Sequence, residues 1–184
     1  MKFSKTRQVK SPQRGTSNSA GIDFFVPVFT KKFKIELLQK NQNISPTVKN
    51  DISHILDNSV ILMPRDRILI PSGIHVNFLE EESVQNSLGV TYGLSLNANN
   101  KSGVASKLGL SFLASIVDSD YQGEIHISLV NTGKYPISIN ENDKIIQFLL
   151  QPVIYAPLDE VSFNDLYDVT SERGTGGFGS TDKK

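Results

Sequence analysis

Apolar and polar residues alternate along this chain in short stretches, and helical spacing is rare. Ile22-Asp23-Phe24-Phe25-Val26 reads as a strand, and Ile68-Leu69-Ile70 as another that ends at the Pro71-Ser72-Gly73 turn. From Glu124 to Val130 the pattern has period two, which puts Ile125, Ile127 and Leu129 on one face. Asn131-Thr132-Gly133-Lys134 supplies the turn that follows. Lys144 to Ile154 forms a longer apolar strand. Many short strands separated by Gly, Pro, Asn and Asp predict an all-β domain, a sandwich or barrel.

Two segments depart from this pattern. Between about Leu37 and Asn58 the chain turns polar, and Val48, Ile52, Ile55 and Leu56 fall at helical spacing. An insertion carrying one short helix is expected there, with a packing or surface role. The second segment starts at Thr170 and is rich in Gly, Ser and Thr, with too little apolar content to fold alone. The expected organisation is a β domain over 1–169 and a flexible arm over 170–184. Gly174 to Gly179 satisfies the spacing GxGxxG, but a dinucleotide fingerprint must follow a strand and open a helix, and only five residues remain after Gly179. No Lys precedes Ser180-Thr181, so the arm is not a Walker A loop either. What remains is a Gly-rich strip with free amides, Arg173, Phe178 and two hydroxyls, able to fold over a nucleotide with amides and Arg on phosphate and the ring on a base.

Composition narrows the function. Nineteen Lys and Arg balance nineteen Asp and Glu. Nucleic-acid binders usually carry a basic excess, so any phosphate must be held by a local constellation. The chain has no cysteine, which excludes disulfides and thiolate zinc sites. No apolar run is long enough to span a bilayer, and Met1-Lys2-Phe3-Ser4-Lys5 lacks the apolar stretch of a secretory signal. A cytoplasmic protein is expected.

Five motifs then appear in one order: Ser19-Ala20-Gly21-Ile22-Asp23, Lys101-Ser102-Gly103-Val104-Ala105, Val117-Asp118-Ser119-Asp120-Tyr121-Gln122-Gly123-Glu124, Asp143-Lys144-Ile145-Ile146-Gln147, and the arm with its Gly177-Phe178-Gly179-Ser180-Thr181 core. Singly, the first, second and fourth are weak; the third and fifth are specific. Together they resemble the trimeric dUTPase family, including phage-borne members, over most of the chain. The resemblance implies a dUTPase-like β-barrel or jelly-roll-like sandwich with one or two short helices and a flexible C-terminal arm. It also implies hydrolysis of dUTP to dUMP and pyrophosphate, with Mg²⁺ held through the substrate phosphates and water and no direct protein ligand.

Attack of water on the α-phosphorus needs a base, an in-line leaving group and neutralised phosphate charge. By the resemblance the base is Asp118; Asp120 is its rival, and two carboxylates at this spacing could instead hold a metal. Tyr121 is the position whose ring packs under the deoxyribose and excludes a 2′-hydroxyl. Leu113, Ala114 and Ser115, with Ile116, lie in the hairpin whose backbone meets uracil. Lys101, Ser102, Gly103 and Gln147 are implied at phosphate. From the arm, Arg173 would reach the γ-phosphate, Phe178 would stack on uracil, and Gly179, Ser180 and Thr181 would add amide or hydroxyl contacts. Asp23 is expected behind the site, holding it together. The resemblance further implies a homotrimer whose active sites are each assembled from three chains.

The chain departs from the family pattern in several places. Lys101 and Lys144 stand where most relatives have Arg, which keeps the charge and loses the planar fork. Phe112 occupies a place where some relatives put a uracil-binding Asn, the stretch from Leu79 to Asn100 is longer than usual, and Asp182 replaces a frequent Gly. Two rivals accompany the main reading: a dCTP deaminase of related fold, and a dUTPase-like regulatory protein that binds a repressor or other partner through the 37–58 insertion.

Overall fold

The computed structural model describes residues 1–43, 55, 57–78, 84–85 and 91–176. The strands are β1 (Lys2–Lys5), β2 (Gln13–Arg14), β3 (Ile22–Phe25), β4 (Ser59–Leu62), β5 (Arg67–Pro71), β6 (Ile74–Asn77), β7 (Val84–Gln85), β8 (Thr91–Asn100), β9 (Leu110–Phe112), β10 (Ile116–Asp118), β11 (His126–Asn131), β12 (Ile137–Asn140) and β13 (Lys144–Tyr155). Among the described residues two helices interrupt them, α1 (Lys31–Asn41) and α2 (Ser102–Leu108), and a short 3₁₀ turn spans Phe163–Asp165. Every pairing among the described strands is antiparallel. The largest sheet runs β10-β8-β13-β3-β2 with β7 added to β8, beside a β5-β11-β9 sheet and the pairs β1-β6 and β12-β4. This is the all-β architecture that the alternating pattern predicts.

Period-two sequence places the core. In β11, Ile127, Leu129 and Asn131 are buried while His126, Ser128 and Val130 are half-buried; in β12, Ile137 and Ile139 face inward and Ser138 and Asn140 outward. The inward faces of the sheets share one apolar cluster in which Phe24 stacks against Phe148 at 4.6 Å between ring centroids. Each such fully buried aromatic or branched side chain contributes roughly 1.5–3 kcal/mol relative to exposure.

The expected helix over 48–56 falls largely outside the described residues. Ile55, the described member of its apolar set, lies in an antiparallel bridge to Val60, which is extended pairing and not helix. Helix α1 lies ahead of that segment. Thr30 caps it, its side chain accepting from Phe33 N at 3.2 Å. Phe33, Leu37 and Asn41 recur every fourth residue and are buried. Asn41 then does what a strand would: its side-chain amide donates to Leu69 O at 2.9 Å and to Leu37 O at 2.7 Å, while its oxygen accepts from Leu69 N at 2.8 Å. The edge of β5 opposite β11 is thereby satisfied by one side chain. Asn41→Ala should strand these groups and destabilise the fold by about 2 kcal/mol, read as a lowered denaturant midpoint with unchanged slope.

Candidate active site

Three of the five motifs meet on adjacent strands. On β3, Asp23 stands in register with Gln147 on β13, and Gln147 stands in register with Asn99 on β8. Lys101 follows directly after β8. Its ammonium donates to Asp23 Oδ1 at 2.7 Å, and Lys144 Nζ lies 3.4 Å from Asp23 Oδ2. Asp23 is buried, whereas the two lysines keep part of their side chains in solvent. One carboxylate thus orients two cations, and the Lys101 expected only at phosphate has a protein partner. Gln147 Nε2 donates to Asn100 O at 2.8 Å, so its amide holds the main chain just ahead of Lys101. A Cβ on Gly21 would collide with the Gln147 side-chain amide, so a larger residue there would have to displace the amide that holds Asn100 O.

The role of Asn100 was not legible from the motifs, although it directly precedes Lys101. Its side chain donates to Ser111 Oγ at 3.1 Å and accepts from Phe112 N at 3.1 Å, tying β8 to β9. Helix α2 opens with Ser102 and Gly103 behind Lys101 as N-cap, with no side-chain cap, which leaves amides at that end to other acceptors. A Cβ on Gly103 would meet nothing within 4 Å, so packing in this chain does not demand glycine there.

The third motif lies elsewhere. Asp118 ends β10, where it pairs in register with Ser95 of β8, and its carbonyl accepts from Tyr121 N at 3.2 Å to close a turn. Asp118, Asp120 and Tyr121 are exposed. The Tyr121 ring covers Gly123, and its hydroxyl donates to Glu124 O at 3.0 Å. From Ser95 to Lys101 is about 20 Å of extended strand, so one chain holds the third motif well apart from the second and fourth.

The segment expected to meet uracil is not a simple hairpin. β9 pairs with β11, whereas β10 pairs with β8, so 113–115 crosses between two sheets. Leu113 N donates to Ser128 O at 3.0 Å, and Ser115 O accepts from Ala98 N at 2.6 Å. Ala114 stands exposed between these fixed points. In the arm, Arg173 is exposed and its Nε donates to Gly176 O at 2.7 Å. Phe178, Gly179, Ser180 and Thr181 lie outside the described residues.

Among the described residues, no three His, Asp or Glu side chains group as a metal-binding set. No helix among the described residues is long and apolar enough to cross a membrane.

The dUTPase family model matches residues 99–182. The chain is 36% identical to the deoxyuridine 5′-triphosphate nucleotidohydrolase of Bdellovibrio bacteriovorus, over 71% of this chain and 78% of that one. It is 31% identical to the enzyme of the same name from Wolbachia sp. subsp. Drosophila simulans, over 82% and 95% respectively. Among solved structures, a point mutant of the Staphylococcus phage 80α dUTPase superposes with a TM-score of 0.64 at 18% identity, covering 97% of this chain and 96% of that one. A mutant dUTPase of the S. aureus phage phi11, which coordinates a structural Mg(II) ion, gives 0.61 at 17% identity, over 91% and 98%. The chain belongs to the dUTPase family.

Proposed function

We propose that this protein is a dUTP diphosphatase that works as a homotrimer, each active site drawing on more than one chain. The observation that carries the shared site is the separation along β8. A water held by Asp118 stands far from a phosphate cradled at Lys101 and Ser102 of the same chain, because about 20 Å of extended strand separates Ser95, the strand partner of Asp118, from Lys101. A second surface supports association: Leu158, Phe163, Tyr167 and Val169, beyond the end of β13, are at least 71% exposed in the single chain. So many apolar side chains in one segment mark an interaction surface.

In this reading Asp118 takes the proton of the attacking water. Lys101, with Asp23 behind it, offers positive charge to the phosphates, together with the Ser102 and Gly103 amides and Gln147. Mg²⁺, bound to the three phosphates and to water, would supply charge neutralisation. Tyr121 lies under the deoxyribose, and the main chain of Leu113, Ala114 and Ser115 reads the base edge. Cytosine presents the opposite donor and acceptor there and leaves groups unpaired. The arm closes the site through Arg173, Phe178, Gly179, Ser180 and Thr181. No observation favours the deaminase or the repressor-binding reading.

Incubation with dUTP and with each common dNTP, with pyrophosphate release as readout, tests the activity. Release from dUTP alone is expected; ammonia from dCTP, or no release from any nucleotide, would overturn the reading. Deletion of everything after Thr170 should leave a folded trimer by sedimentation and lower kcat by about 10²-fold, the scale of losing closure over a substrate. A monomeric full-length protein would sink the shared-site reading.

A further inference from the structure

Arg7, which belongs to none of the five motifs, joins helix α1 to the third motif. It follows β1, and its side chain is only 16% exposed. On one side the guanidinium grips Glu36 of α1 with both nitrogens, Nη1 to Oε2 at 2.9 Å and Nη2 to Oε1 at 3.0 Å. The Phe33 ring, one helical turn earlier on α1, lies 5.5 Å below the guanidinium carbon. On the other side Nη2 donates to both oxygens of Glu124, at 2.7 and 2.9 Å. The stem of Arg7 crosses Gly73, where φ is +75° and a Cβ would collide with Arg7 Cγ. Burial alone would lower the guanidinium's proton affinity, but the Glu36 hydrogen bond and the two carboxylate charges raise it overall. Glu36 in turn is held below the usual carboxylate range, chiefly by the hydrogen bond from Arg7.

Glu124 ends the turn that carries Asp118 and Tyr121. Its carbonyl accepts from the Tyr121 hydroxyl at 3.0 Å and lies 2.9 Å from His126 Nδ1. Its carboxylate also accepts from Gly73 N at 2.5 Å. The Tyr121 ring is therefore located by a backbone group whose own side chain is fixed by Arg7. An Arg bridging two carboxylates fixes orientation as well as charge, which a Lys cannot do.

We propose that Arg7 is a positioning residue for the Tyr121 turn, and that helix α1 sets this turn through Glu36, so that discrimination against a 2′-hydroxyl is tuned from α1. The proposal rests on the reading that Tyr121 faces the sugar. Selectivity, kcat/KM for dUTP over UTP, is measured for wild type, Glu36→Ala, Arg7→Lys and Tyr121→Ala, and amide hydrogen exchange over 119–126 is measured without nucleotide. Glu36→Ala should keep kcat on dUTP within about twofold while selectivity falls about fivefold and exchange over 119–126 rises. Arg7→Lys should fail to restore wild-type selectivity. If Tyr121→Ala leaves selectivity intact, the sugar reading falls, and the exchange data then decide the coupling alone. A folded Glu36→Ala variant with unchanged exchange over 119–126 overturns the proposal. So does one with raised exchange and wild-type selectivity while Tyr121→Ala abolishes selectivity; α1 would then hold the turn without tuning sugar discrimination.

Discussion

Asp118→Asn should lower dUTP turnover by about 10³-fold, within the range that a positioned general base supplies. The substitution keeps size and reach but removes the negative charge and the basicity, and turns one acceptor oxygen into an N–H₂ donor. Asp118 is the last residue of β10, and its backbone is fixed by pairing to Ser95 and by the Tyr121 N–H. Its side chain is exposed, as the proposed shared site requires of a group that meets a neighbouring chain's substrate. Asp120 lies two residues further into the turn, beyond the strand pairing, and Asp120→Asn should be milder. Single-turnover kinetics gives the chemical step, and calorimetry with a non-hydrolysable imido analogue of dUTP gives binding. Intact binding with lost turnover identifies the base. Turnover equal to wild type would end the assignment, and lost binding with unchanged turnover at saturation would make Asp118 a substrate ligand.

The strands were legible because half-buried β-structure has to alternate: Ile125, Ile127 and Leu129 are all buried, as their period implies. Helix α1 was not, and the reason is physical. Its buried stripe is one residue wide, and its third member is Asn41, a polar residue that enters the core only because Leu69 offers both a donor and an acceptor. Four lysines, Glu36 and Gln39 make up six of its eight other residues, so its sequence looks like a solvated segment. The motifs named candidate residues, yet motif spacing says nothing about which of them meet. The Lys101–Asp23 pair joins residues 78 positions apart and depends on β3, β13 and β8 lying side by side. Nor could spacing show that the third motif pairs at the middle of β8 while the second follows its end, which only the register of β8 reveals. Arg7 carried no signal at all, since its partners Glu36 and Glu124 come from α1 and from the end of the third motif.

That pairing changes what removal of Lys101 should do. A phosphate-facing lysine on the surface could be cut to alanine with little effect on folding. Here the ammonium is 2.7 Å from a buried carboxylate whose other cation, Lys144, stands 3.4 Å away. Lys101→Ala should therefore have two effects. Loss of a charge aimed at the leaving pyrophosphate should lower kcat by about 10²–10³-fold. Loss of the closer partner of Asp23 should also destabilise the fold, by about 2 kcal/mol, the scale of a hydrogen bond to a charged group. The double variant Lys101→Ala, Asp23→Asn separates these effects, because a neutral amide no longer needs the cation. Its denaturation midpoint should recover toward wild type while kcat stays low. Lys101→Arg should hold the fold and part of the activity, since charge survives although the bulkier planar fork must share the space beside Asp23 with Lys144. Recovery of kcat along with stability in the double variant would mean that Lys101 acts only by holding Asp23, and that the phosphate charge comes from Arg173 and the amides near Ser102.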